Sequence, residues 1–191
     1  MPRPREFDED RALDAAMRQF WATGYEATST EQLCTATGLR RSSIYNTFQS
    51  KHALFLQALT RYTRWRTGMY LELLQADSPA PQRLRAVLEH AVDMAVEAGR
   101  DGCLAVNTVT ECSARDSEVD ELLRADNELR ATAIRDVVAA GQRAGELSRD
   151  RAPGDVAEFI NATLAGISVT ARCGGDRRTL RAIAEVAMAA L

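Results

Sequence analysis

The chain has 191 residues, 46% of them hydrophobic and 27% charged, with a formal net charge of -3, which is the make-up of a folded globular protein and excludes a disordered or low-complexity one. Residues 1–66 hold ten basic against seven acidic side chains and the remainder fourteen against twenty, so a mildly basic head precedes an acidic body and suits a polyanion at one end only. No stretch approaches the ~18 to 20 uninterrupted apolar residues of a membrane span, and the opening Met1-Pro2-Arg3-Pro4-Arg5-Glu6 lacks the apolar core of a signal peptide, so a cytoplasmic protein without membrane contact is expected.

Leu13, Ala16, Met17 and Phe20 recur at i, i+3, i+4 and i+7, which predicts an amphipathic helix stopped at Gly24, with Asp8, Glu9 and Asp10 at its positive end. Thr28, Ser29 and Thr30 offer capping hydroxyls for a short second helix through Leu33 and Cys34 that ends at Gly38. A third short helix is expected from about Arg40 to Phe48, and Ser50 is placed to cap a fourth that carries Leu54, Phe55, Ala58, Leu59, Tyr62 and Trp65. Pro79 and Pro81 break the pattern after a segment 68–78 that includes Gly68. A helix through Leu84, Val87, Leu88, Ala91 and Ala95 follows, ended by Gly99 and Gly102. Beyond a short apolar segment at 103–112 lies a long helix near 116–144, with Gly141 and Gly145 expected at its fraying end. Pro153 opens a helix with the stripe Val156, Phe159, Ile160, Thr163, Leu164 and Ile167; Gly174-Gly175 turns the chain into a last helix with Leu180, Ile183, Ala184, Ala187 and Leu191. The expected architecture is all-α, about nine helices, with an N-terminal three-helix unit over 1–52 and a helical body over 53–191.

Function concentrates where the second and third helices meet at Thr37-Gly38-Leu39, because a helix-turn-helix needs a tight turn between a supporting and a recognition helix. Arg40, Arg41, Ser42, Ser43, Tyr45, Asn46 and Thr47 follow that turn and can donate to phosphates or read base edges, while Leu39, Ile44 and Phe48 are spaced to hold the helix on its support. Lys51, the only lysine, sits beside the cap of the fourth helix, where its charge and the backbone N–H groups can meet a phosphate. Residues 24–55, with Gly24-Tyr25, Thr28, Gly38, the run Ile44-Tyr45 to Phe48 and the pair Ser50-Lys51 in one register, resemble the helix-turn-helix of TetR-family regulators. The resemblance implies that Thr28 and Ser29 meet phosphates, that Arg41, Ser42, Ser43 and Asn46 face the major groove, and that Tyr45 and Lys51 grip the backbone. It also implies that Arg3 and Arg5 reach the minor groove or flanking phosphates. Two departures stand out: Arg40 replaces the usual Ser or Thr cap, and Asn46-Thr47 replaces the more usual His-Tyr.

The same resemblance implies a homodimer built on the last two helices, where Ala165, Gly166, Ser168, Ala187, Ala189 and Ala190 permit close approach, with Cys173 at the interface. It implies a repressor that leaves a palindromic double-stranded operator when a small-molecule effector enters the body. Tyr62, Trp65, Met69 and Met94 on the middle helices are candidates for the pocket lining, with Cys103, Val106, Asn107 and Thr110 beyond them and Phe159 and Thr163 from the stripe near the C-terminus. The four cysteines form no CxxC pair and are expected as reduced thiols, Cys34 in the core. Gly102-Cys103-Leu104 is similar to a motif in several branches of the family, which opens a second reading of Cys103 as an electrophile or redox sensor; a buried structural cysteine is the alternative, since only Arg100 is near in sequence. Enzyme chemistry is not expected: there are two histidines, no GxSxG, no HExxH and no glycine-rich phosphate loop, and no cofactor or metal site is anticipated. A helical ligand-binding module without DNA remains the other alternative, opposed by the polar, arginine-bearing third helix.

Overall fold

Asp8 accepts a hydrogen bond from the Arg11 amide at 3.2 Å and so starts the first helix where the acidic cluster placed it. The computed structural model describes residues 8–191, so the expected contacts of Arg3 and Arg5 lie outside the described residues. Among the described residues every regular element is helical. These are α1 (Glu9–Thr23), α2 (Thr30–Thr37), α3 (Arg41–Phe48), α4 (Lys51–Leu74), α5 (Ala80–Ala98), α6 (Leu104–Glu111), α7 (Ser117–Ala144), α8 (Pro153–Arg172) and α9 (Arg177–Ala189). Single 3-10 turns lie at 99–101 and 113–115. None of the described helices is long and apolar enough to cross a membrane.

The caps explain most boundaries. Ser29 and Gln32 form a reciprocal capping box at the start of α2, Ser50 caps α4, Asp116 caps α7 and Asp176 caps α9. Two expectations need correction. α4 runs through Gly68 to Leu74, because Arg66, Tyr70 and Leu74 continue the buried i+4 stripe begun by Tyr62 and that burial outweighs the ~1 kcal/mol helical penalty of one glycine. Gly141 is no fraying position: it is buried inside α7, and a Cβ there would stand 2.6 Å from the Ala80 Cβ, so glycine is what lets α7 approach the start of α5.

Two clusters of buried side chains organise the molecule. The head core joins Phe20, Leu33, Ile44, Phe48, Leu54 and Phe55 and continues without a break into Tyr62, Cys103, Leu104, Cys112, Val119 and Leu123. The body core runs from Tyr70 and Leu74 through Leu84, Leu88, Ile134, Val138, Ile160, Leu164, Ile167 and Leu180. Helix α4 crosses from one cluster to the other. On the far side of the body, Phe159 and Val169 of α8 and Val186 of α9, the last 70% exposed, present large apolar side chains to solvent. Cys173 is exposed nearby in sequence, whereas Ser168 and Ala187, expected at that surface, are buried in the chain's own interior.

Candidate nucleic-acid interface and body cavity

Helix α3 has only eight residues, so its position depends on anchors: Ile44 and Phe48 are buried, and Leu39 packs partly buried beside them. Gly38 supplies the left-handed turn before it, with φ 70° and ψ 11°. After it, Gln49 takes φ 67° and ψ -48° while the Ser50 amide donates to the Phe48 carbonyl at 2.8 Å, a γ-turn of the rare strained hand that sets the angle between α3 and α4. Opposite the anchors, Arg40, Arg41, Ser42 and Asn46 are exposed and Ser43, Tyr45 and Thr47 half-buried. Arg40 caps nothing with its side chain, which leaves the guanidinium free of the helix start. The Tyr45 hydroxyl lies 3.3 Å from Thr30 Oγ1, and the Arg41 guanidinium lies 5.6 Å from the Tyr45 ring centroid. The Thr30 hydrogen bond, helped by Arg41, holds this phenol below the ordinary tyrosine range.

Two of the expected backbone contacts are placed differently. Thr28 is 1% exposed; its hydroxyl donates to the Gly24 carbonyl and shares a hydrogen bond with Thr23, so its side chain locks the α1–α2 loop and faces away from solvent. Ser29 is exposed, with its oxygen engaged by the Gln32 amide. Lys51 reaches back over the Tyr25 ring, 4.5 Å from its centroid, and donates to the Glu26 carbonyl at 3.4 Å, so it also braces the head.

Besides the Arg61 ion pairs to Asp10 and Asp14 of α1, three polar ties join the head to the segment 102–118, and none was anticipated. Trp21 Nε1 donates to the Gly102 carbonyl at 2.9 Å. The Glu111 carboxylate, at the end of α6, accepts from the Tyr25 amide at 3.1 Å and the Glu26 amide at 2.8 Å. A Cβ on Gly24, where φ is 84°, would lie 2.9 Å from that carboxylate, so the loop closes on Glu111 only with glycine there. His52 Nε2 meets Asp116 Oδ2 at 2.7 Å, with Glu118 at 3.8 Å from the other ring nitrogen. Partial burial pushes the Asp116 carboxyl up, but the Val119 amide and His52 outweigh it and hold the group below the ordinary carboxylate range. Donor atoms of His52, Asp116 and Glu118 lie within 4.8 Å of one another, the arrangement among the described residues that could hold a metal ion. A sequence signal for Glu111 existed: an acidic residue at the C-terminal end of a helix opposes the macrodipole and calls for another partner.

The expected pocket residues divide among several places. Tyr62 and Cys103 are buried, Tyr62 edge-on to Trp21 at 4.9 Å. Trp65 and Met94 border a cavity of about 480 Å³ beside α1, together with Arg18 and Trp21. Asn107 staples its loop through the Asp101 carbonyl at 2.8 Å, Thr110 is exposed, and Met69 is half-buried. Phe159 and Thr163 stand on the outer side of α8 and border neither cavity, which corrects their placement as pocket lining. Val106 alone of the ten borders a second cavity of about 300 Å³ walled by α4, α6, α7 and α8.

That wall contains Arg66, Tyr70, Arg130 and Asn161, which sequence reasoning missed. Arg66 is 8% exposed; it donates to Cys103 Sγ and, at 3.3 Å, to Ser168 Oγ, and its guanidinium lies 5.5 Å from the Tyr70 ring centroid. Burial opposes its charge and the facing Tyr70 and Cys103 favour it, with the net result that the guanidinium stays protonated. The available signal was an arginine in phase with the apolar residues of α4.

Residues 12–58 match the family model described as "Bacterial regulatory proteins, tetR family", and residues 80–187 match "Tetracyclin repressor-like, C-terminal domain". The chain is 29% identical over 187 residues to the HTH-type transcriptional repressor ComR of Escherichia coli K12, covering 95% of this chain and 88% of that one. It is 27% identical to the repressor BdcR of the same organism, covering 97% and 89%. Among solved structures it is similar to a cysteine mutant of the regulator CifR complexed with 26-bp operator DNA, with 30% identity, a TM-score of 0.88 and 99% of each chain covered.

Proposed function

Because the chain belongs to the TetR family of bacterial transcriptional regulators, we propose that it binds a palindromic operator as a homodimer through α3 and leaves it when a small molecule occupies the body. The observation that carries this is the outward row of Arg41, Ser42 and Asn46 on a helix pinned from behind by Ile44 and Phe48. Exposed donors on an anchored short helix are what reading base edges in a major groove requires. Residues 1–52 are the DNA-binding unit in this reading, and residues 53–191 carry effector binding and dimerisation.

The response to effector follows from linkage: an occupant that fits better when the heads are badly spaced for DNA lowers operator affinity by its differential binding. Helix α6 is suited to transmit it. Ala105, Val106 and Val109 border the 300 Å³ cavity, and Glu111 at the same helix's end holds the Tyr25 and Glu26 amides of the head. A second reading, thiol sensing, is favoured by one contact, Arg66 against Cys103 Sγ. Operator release by oxidant that vanishes in Cys103→Ser supports it, and release that persists removes it.

Selection of bound duplexes from a random library, followed by titration of the enriched site, tests the main reading. A two-fold symmetric motif is expected, with affinity that falls steeply as salt rises. Arg41→Ala and Asn46→Ala should each cost about 1–3 kcal/mol on that site. Affinity unchanged in both variants would show that α3 is not the reading element.

A further inference from the structure

We propose that the cavity walled by α4, α6, α7 and α8 takes a small organic anion, a carboxylate with an apolar portion, and that Arg66 is its counter-ion. This rests on the effector reading above and names the chemistry the effector must carry. Three arginines and two aspartates stand in the wall of this cavity of about 300 Å³. Asp120 pairs with Arg124 at 2.6 Å and Asp126 with Arg130 at 3.1 Å, each one helical turn on. Arg66 is left over, buried and without a carboxylate partner among the described residues. An unpaired buried charge is strongly unfavourable, and an anion in contact with it removes that penalty.

Two neutral groups in the same wall point the same way. The Tyr70 hydroxyl and Asn161 Nδ2 are buried and make no hydrogen bond. Asn161 Oδ1 already accepts from Arg130 Nε at 2.8 Å, so what its amide has to offer is a donor. The wall's carboxylates are engaged: Asp126 by Thr67 and Arg130, Asp120 by Arg124. The unmet demand is thus one cation and two donors. A carboxylate supplies acceptors for all three, and a guanidinium fork matches its two oxygens. Beside the polar Ser113 and Asn127, the side chains of Val106, Val109, Leu123 and Leu164 give the wall apolar surface that suits a hydrocarbon portion.

Calorimetric titration of the reduced full-length protein with benzoate and hexanoate, against benzamide, hexanamide and hexylamine, tests the proposal. Saturable binding of at least one acid, and of neither amide nor the amine, is expected. Tyr70→Phe should weaken that binding roughly tenfold. Arg66→Met and Asn161→Asp should abolish it; should Arg66→Met not fold, Asn161→Asp, which keeps the size and adds a like charge, carries the test alone. Cys103→Ser, which keeps an acceptor where Arg66 donates, is titrated alongside. Amides that bind as well as the acids, no acid binding at millimolar concentration, or acid binding only after Cys103 is removed each overturn the proposal. Operator release by a neutral compound in this cavity overturns the anion class and leaves the effector reading standing. Acid binding with undiminished operator affinity supports the anion site and overturns its effector role.

Discussion

Gly68 and Gly141 both sit inside long helices, yet what surrounds them differs completely. Nothing lies within 4 Å of a Cβ placed on Gly68, whereas one on Gly141 meets the Ala80 Cβ at 2.6 Å and Leu147 at 3.0 Å. Gly68→Ala should therefore stabilise the protein by up to ~1 kcal/mol through helix preference. Gly141→Ala should destabilise it by about 1–3 kcal/mol from overpacking, less what the same preference returns. Urea unfolding of the two variants checks the opposite signs. Cysteine chemistry is equally local. Burial, with Glu111 and Asp116 adding, pushes the Cys112 thiol up to about 11, while Cys173 is exposed. Alkylation by iodoacetamide near neutral pH, read by mass spectrometry, should mark the half-buried Cys34 before Cys112, and Cys173 should be protected where the proposed dimer covers it. A thiol with a raised folded value binds its proton more tightly in the native state. Its contribution to stability is whole below 9.0, the ordinary value, and is lost as pH rises from there through about 11. The stability gap between the protein and Cys112→Ala should narrow over that interval.

At the scale of elements, short helices depend on their ends. Helix α2 has eight residues and one buried side chain, Leu33, so the Ser29–Gln32 box carries much of its definition. Ser29→Ala should cost about 1 kcal/mol in thermal unfolding. Helix α6 depends on what it holds. Its Glu111 carboxylate takes two backbone amides of the α1–α2 loop, and Glu111→Gln keeps one acceptor and loses the charge. Hydrogen exchange at Tyr25 and Glu26 should quicken by about tenfold in that variant, because a hydrogen bond to a charged group contributes about 1.5–3 kcal/mol. Unchanged exchange would mean that α6 does not restrain the head.

On the last two helices the chain's own packing leaves apolar side chains uncovered. Phe159, Val169 and Val186 are exposed on α8 and α9, and Ala182 and Ala189 lie exposed along the same α9. Large apolar residues interleaved with small ones suit helices that approach a second copy closely, which is why the proposed homodimer is placed there. Val186→Glu should yield a monomer by analytical ultracentrifugation with an unchanged far-UV spectrum, since Val186 is 70% exposed and supports nothing within the chain. Operator affinity should fall with it, because two recognition helices about 34 Å apart exist only in a dimer. A dimer that survives in Val186→Glu would move the interface elsewhere.

Helix order, the turn at Gly38, the cap at Ser50, the helix start at Pro153 and the polar face of α3 were determined by sequence alone, because each depends on residues within a few positions of one another. What only the tertiary structure decided lies between residues far apart in the chain. Arg66 meets Cys103 and Ser168, and Glu111 meets Tyr25, across separations that no local period encodes. Thr28 turns inward because its hydroxyl finds Gly24 and Thr23, and Phe159 turns outward although it belongs to the same apolar stripe as the buried Ile160. Periodicity says that a side chain is apolar and where on the helix it stands; which neighbour covers it, another helix of this chain or a second copy, is settled by packing.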